Sequence, residues 1–129
     1  DLEIILNGGL DNAGTALAEK SRFAGLMLGR AAYRTPMILA ELAKSLTGAA
    51  APSRRAIAGQ MADYADGCVA DGVPLHAVTR HMLGLYHGQR GAKLWRRRLG
   101  EEARDRRDGG ALIRETAASC EELSTRIAA

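Results

Sequence analysis

Two short apolar runs, each closed by glycine and each followed by a helical stretch, limit what this chain can fold into. Residues 2 to 6 read LEIIL and run into Asn7-Gly8-Gly9, while residues 25 to 28 read GLML and run into Gly29-Arg30. A brief β-prone run bounded by glycine reads as a buried strand. Asp11-Asn12 form a capping pair ahead of a helix over 13–22. Thr35-Pro36 offer a cap and a first-turn proline ahead of MILAELAKSL, which carries a Leu/Ile stripe. Strand, helix, strand, helix is the unit of a parallel α/β sheet. Two strands cannot complete such a sheet, because parallel strands need both faces covered. Residues 1–46 are therefore expected to be the end of a larger domain. The chain also begins without Met, inside an apolar run, as a fragment would. The strand edges left open there favour pairing with another chain, so self-association through residues 1–46 is an expectation.

TGAAAPS, residues 47–53, is a small-residue linker, and the pattern after it is helical throughout. A first helix is expected from Ser53 to Asp71, stopped by Gly72. Pro74 opens a second, with Leu75, Val78, Met82, Leu85 and Tyr86 on one stripe and Arg80, Gly84 and His87 on the other side. Residues 87–91 read as a turn, 92–104 as a third helix, Asp108-Gly109-Gly110 as a break and 111–127 as a fourth helix. The fold class is mainly α: a bundle of about four helices over 54–129, preceded by two β/α units. An aromatic content of only 4% argues against a β-sandwich and suits helices packed through small residues. Cys68 falls at helical spacing with Ile57, Met61 and Tyr64, and Cys120 with Leu112, Ile113, Leu123 and Ile127. Both are expected to be core thiols, with no CxxC and no disulfide framework. No signal peptide and no apolar run near 18 residues is present, so no membrane span is expected and a reducing cytoplasm is the default.

Charge is distributed unevenly. Residues 80–107 hold nine Lys or Arg against Glu101, Glu102 and Asp105, although the whole chain carries only +3. The remainder is thus net acidic, and the asymmetry points to an anionic partner. At 100° per residue, Ala92, Trp95 and Leu99 fall within about 60° and form a buried stripe, while Lys93, Arg96 and Arg97 span about 100° on the opposite side. Trp95 reads as a core anchor. Arg90 lies just before the basic face, and Arg106 and Arg107 extend it. Such a face attracts phosphates through charge and counterion release, and an ordinary solvated helix has the same appearance. His81 and His87, six apart, do not share a helical face, and no Cys or Asp constellation accompanies them, which argues against a metal site.

Asn7-Gly8-Gly9 and Gly29-Arg30 each follow an expected strand, where parallel α/β folds place ligand-binding loops. Glycine lets backbone N–H groups approach a phosphate, and an arginine can clamp it. Two such loops, about 20 residues apart on consecutive strands, resemble the phosphate site that follows the last two strands of a (β/α)8 barrel.

NGG at 7–9, GRAAYRTP at 29–36 and TRHMLGLYHGQRGAKLWRRRL at 79–99 together resemble the C-terminal part of the tRNA-dihydrouridine synthases, most closely their A-type bacterial branch, which acts on D-loop uridines 20 and 20a. The resemblance runs from Leu2 to about Ala103; its third segment is highly specific, NGG and GR much less so. It implies an FMN-containing TIM (β/α)8 barrel, of which residues 1–46 would be the last two β/α units, followed by a helical tRNA-binding domain. It also implies that reduced FMN passes hydride to the uracil ring, that a cysteine supplies a proton to the other carbon, and that NADPH re-reduces the flavin. Asn7, Gly8 and Gly9 would match the first phosphate-binding loop of the family, and Gly29 with Arg30 the second. Lys93 and Arg96 fall where members contact tRNA; Arg80, Arg90 and Arg97 would be supporting phosphate contacts. Lys93 departs from the arginine expected there, keeping the charge but losing the planar fork. The proton-donating cysteine and the residues on the flavin ring belong to earlier strands, so no catalytic residue is assigned here and the 129 residues alone are expected to be inactive. A stand-alone helical RNA-binding module, or the tail of another FMN-barrel oxidoreductase, are the alternatives.

Overall fold

In the computed structural model, which describes residues 2–126, the chain divides into two compact units at Ala51/Pro52. The first comprises β1 (Ile5–Asn7), α1 (Ala13–Glu19), β2 (Gly25–Met27), α2 (Arg30–Arg34) and α3 (Met37–Thr47). The two strands are parallel, in register Ile5 with Gly25, Leu6 with Leu26 and Asn7 with Met27. α1 makes the crossover between them and starts where expected, with the Asn12 carboxamide accepting from the Thr15 N–H at 2.9 Å. Leu10, Ala16, Ile38 and Leu42 form the core, with Leu6, Leu17, Leu26 and Leu28 packed on it.

Two expectations for this unit are corrected, and one helix is added. The strands are not buried: Ile5 is 62% and Met27 48% exposed. The helices cover only the face presenting Leu6 and Leu26, and alternate residues of a strand point the other way. Thr35 does not cap α3; its hydroxyl donates back to the Ala31 carbonyl at 2.9 Å, and Pro36, in helical conformation, stands at the cap position. The stretch after Gly29 is a short helix, α2, whose backbone closes with Tyr33 N–H on the Gly29 carbonyl.

The second unit comprises α4 (Arg54–Ala70), α5 (Leu75–Thr79), a run of turns over 80–91, α6 (Ala92–Glu101), a 3-10 turn (Glu102–Arg104) and α7 (Ala111–Thr125). Ser53 caps α4 by accepting from the Ala56 N–H at 3.1 Å. Its buried face is alanine, namely Ala58, Ala62 and Ala65. Small side chains let α7 come close: a Cβ on Gly110 would collide with the Ala62 carbonyl, and the Gly110 N–H donates to Asp66 Oδ1 at 2.6 Å. Arg114 of α7 then bridges Asp63 and Asp66 of α4 at 2.5 and 2.7 Å.

That alanine face corrects the cysteine expectation. Cys68 is only half-buried and Tyr64 is exposed, whereas Cys120 is fully buried with Leu112 and Ile113. Leu123 is exposed as well, and Ile127 lies outside the described residues. The second expected helix is shortened to five residues. Its stripe is nonetheless buried, because turns closed by i→i−3 bonds, Met82 N–H on Thr79 and Leu85 N–H on Met82, carry the same side chains inward. Two carbonyls of this segment are taken by distant side chains: Met82 accepts from the Trp95 indole at 2.9 Å, and Leu85 from Arg54 Nε at 3.0 Å. Among the described residues no helix is long and apolar enough to cross a membrane, and no group of three metal-ligating side chains occurs.

Candidate functional site

The first candidate lies at the carboxyl ends of the two strands. Asn7 ends β1 and Gly8-Gly9 leave it with φ of 113° and 70°, a left-handed path that a side chain would strain. Gly29 and Arg30 follow β2. These five residues line one cleft of about 160 Å³, together with Leu10, Asp11, Met27, Leu28 and Ala31, which the sequence reading did not include. A Cβ on Gly8 or Gly9 would touch nothing within 4 Å, so space remains open beside that backbone. The Arg30 side chain makes no hydrogen bond or ion pair among the described residues. Open glycine backbone and an arginine that forms no ion pair among the described residues are chemistry suited to an oxyanion; the carboxylate of Asp11 on the rim works against it.

The second candidate is the outward face of α6. Trp95 is fully buried, its ring centroid 4.6 Å from that of Tyr86 and its indole N–H on Met82. Leu99 is buried beside it, and the buried Thr79 hydroxyl donates to the Leu99 carbonyl at 2.8 Å. With that side turned inward, Lys93, Arg96 and Arg97 are turned into solvent. α6 begins at Gly91, whose φ is 83° and whose Cβ, if present, would lie 2.9 Å from Cys120 Sγ. The helix start is thereby pressed against α7. Burial first, and then the charge of Glu121, push the Cys120 thiol above its ordinary value.

The cations of α6 and its neighbouring turns divide into two sets. Arg98 pairs with Glu102 at 3.1 Å and with Glu115 at 3.2 Å, while Arg106 pairs with Asp108 and Glu115. Beside these guanidiniums, Arg106 foremost, the Glu115 carboxyl is held below the usual carboxylate range. Arg80, Arg90, Lys93, Arg96 and Arg97 are exposed, and none forms an ion pair among the described residues; Arg80 Nε donates to His81 Nε2 at 2.9 Å. Arg106 is therefore withdrawn from the patch it was expected to extend, while Arg107 is exposed and forms no ion pair among the described residues. Lys93, Arg96 and Arg97 share one helix face, and Arg90 precedes it by a single turn.

Comparison with known proteins gives this geometry a lineage. Residues 1–122 match the family model described as dihydrouridine synthase. The tRNA-dihydrouridine(20/20a) synthase of Xanthomonas campestris pv. campestris is 34% identical over 99% of this chain and 38% of its own length. That of Pseudomonas putida is 43% identical over 77% of this chain and 30% of its own length, and that of Vibrio vulnificus 38% identical over 79% and 32%. The chain thus spans about a third of the length of the relatives it matches, from 30% to 38%. Its cleft and its cationic helix lie on residues within that match, and the chain belongs to the dihydrouridine synthase family.

Proposed function

We propose that this chain is the C-terminal part of a flavin-dependent tRNA-dihydrouridine synthase of the cytoplasm, which reduces uridine to 5,6-dihydrouridine in the tRNA D-loop with NADPH as reductant. Residues 1–46 would be the last two β/α units of its TIM barrel, and 54–129 its tRNA-binding domain, joined by the linker 47–53. The observation that carries this reading is the division of the cations: acids neutralise Arg98 and Arg106, while Lys93, Arg96 and Arg97 on the face of α6 form no ion pair among the described residues.

Lys93 and Arg96 would meet tRNA phosphates directly, with Arg97, Arg90 and Arg80 in support. In the cleft, the backbone of Asn7, Gly8, Gly9 and Gly29 and the guanidinium of Arg30 would hold the FMN phosphate. The residues present suit that group, given open glycine backbone and a free arginine on one small cleft. When bound, the flavin supplies the hydride for uracil reduction. The chain's own contribution is to fix the phosphate end and to seat the RNA. Neither Cys68 nor the buried Cys120 is assigned the proton transfer. The bare edges of β1 and β2 would pair with further strands, whether of the same protein or of a second copy.

The test is dihydrouridine formation in unmodified tRNA by the full-length flavoprotein, beside residues 1–129 alone. The longer protein should convert uridine with NADPH, and the 129 residues should convert none. Absence of dihydrouridine from the flavin-loaded, NADPH-supplied full-length protein would contradict the reading.

A further inference from the structure

Between α6 and α7 lies a groove of about 340 Å³ walled by Gly91, Lys93, Leu94 and Arg97 on one side and Leu123 on the other. Its chemistry is mixed in a specific way. No lining residue is acidic. Lys93 and Arg97 are four apart on α6, which places their Cβ atoms roughly 5–6 Å from each other, a like-charge arrangement that destabilises a helix by itself. An anion between them would remove that repulsion. Each wall also carries one leucine: Leu94 of α6 is half-buried, and Leu123 of α7 is 41% exposed although it belongs to a helix with a well-buried face.

A phosphate alone has no use for the leucines, and an apolar side chain has no use for the cations. A nucleotide outside a duplex stack satisfies both, because it presents a phosphate next to a bare base face, and RNA is read mainly through such unstacked bases. We propose that this groove receives one unstacked nucleotide of the bound RNA, its phosphate between Lys93 and Arg97 and its base or ribose against Leu94 and Leu123. The inference rests on the tRNA-binding reading above and adds a non-electrostatic contact to it.

The two readings are separable because charge contacts set the salt dependence of binding and apolar contacts do not. Binding of unmodified transcribed tRNA, and of a fully paired RNA duplex, is measured with the full chain over a range of salt concentrations. Leu123→Gln should weaken tRNA binding roughly threefold to tenfold at every salt concentration, leaving the slope unchanged. Leu123→Phe should tighten it on the order of threefold by offering a ring to the base, an outcome that loss of folding cannot imitate. Neither change should alter duplex binding. Wild-type tRNA affinity in both variants, equal effects on duplex and tRNA, or a loss of thermal stability without any change in RNA binding would each overturn the inference. Should Lys93→Ala with Arg96→Ala leave the salt slope unchanged as well, the tRNA reading itself fails.

Discussion

The indole N–H of Trp95 donates to the carbonyl of Met82 at 2.9 Å, and both residues are buried. This one bond connects α6 to the turns over 80–91, the two segments that between them carry Arg80, Arg90, Lys93, Arg96 and Arg97. It fixes the rotation of α6 about its axis, and that rotation decides which side chains face water. A core interaction thus determines the shape of the cationic surface.

Trp95→Phe keeps an aromatic ring against Tyr86 but removes the donor. The Met82 carbonyl retains only the Leu85 N–H as partner. We expect a loss of about 2 kcal/mol from the missing bond and the smaller ring, read by urea unfolding followed through helical circular dichroism. Unchanged stability would mean that the indole does not anchor α6.

Gly91→Ala meets two obstacles together, the positive φ and the contact with Cys120. A cost of about 2–3 kcal/mol is expected. Adding Cys120→Ala should recover only part of it, because the Cβ and Cα of residue 120 would still lie 3.0 and 3.1 Å from the new methyl. Full recovery in the double variant would show that the thiol alone sets the limit and that the backbone conformation is unstrained.

Cys120 is buried with a raised thiol pKa and touches the Gly91 carbonyl through Sγ, whereas Cys68 is half-exposed. Native protein treated with a thiol-specific reagent at neutral pH should therefore be modified first at Cys68, with Cys120 reacting only after denaturant is added. Equal native labelling rates by peptide mass mapping would contradict the packing of α7 on Gly91.

Acid should loosen the α4–α7 contact. The Gly110 N–H foremost, and Arg114 next, hold the Asp66 carboxyl below its ordinary value; Arg106 does the same for Asp108, and Arg106 with Arg98 for Glu115. Carboxylates stabilised in the folded state contribute above their unfolded pKa and lose that contribution as pH falls through the folded one. The melting temperature should therefore drop as pH falls below about 4. Asp66→Asn should lower stability at neutral pH and flatten the acid limb. An acid limb of unchanged steepness in that variant would remove Asp66 from the account.

What could be read from sequence was local. The cap at Asn12, the start of α4 near Ser53 and the opposed faces of α6 all depend on residues close together in the chain. The turn over 87–91 was legible, but the run over 80–86 could not be read in the same way. Its apolar spacing suits a helix, yet its carbonyls are claimed by Trp95 and Arg54, 13 and 31 residues away. The division of the arginines was only partly legible: Glu102 and Asp108 stand four and two residues from Arg98 and Arg106, but Glu115, which joins both pairs, stands 17 and 9 residues further along. For α4 the larger apolar side chains pointed to the wrong face, because close packing against Gly109-Gly110 selects alanine over bulk. At the cleft, the glycines and Arg30 were legible as loop chemistry, but the short helix that begins at Arg30 was not.

The most direct test of the central claim, that the outward face of α6 holds tRNA phosphates, is the salt dependence of tRNA binding by the full chain and its Lys93→Ala/Arg96→Ala variant. Each phosphate contact contributes roughly 0.7–0.9 to the slope of log K against log salt. The account predicts weaker binding and a slope reduced by about 1.5 in magnitude, with melting temperature unchanged because both side chains are exposed and form no ion pair among the described residues. A folded variant that binds tRNA with the wild-type slope would contradict it.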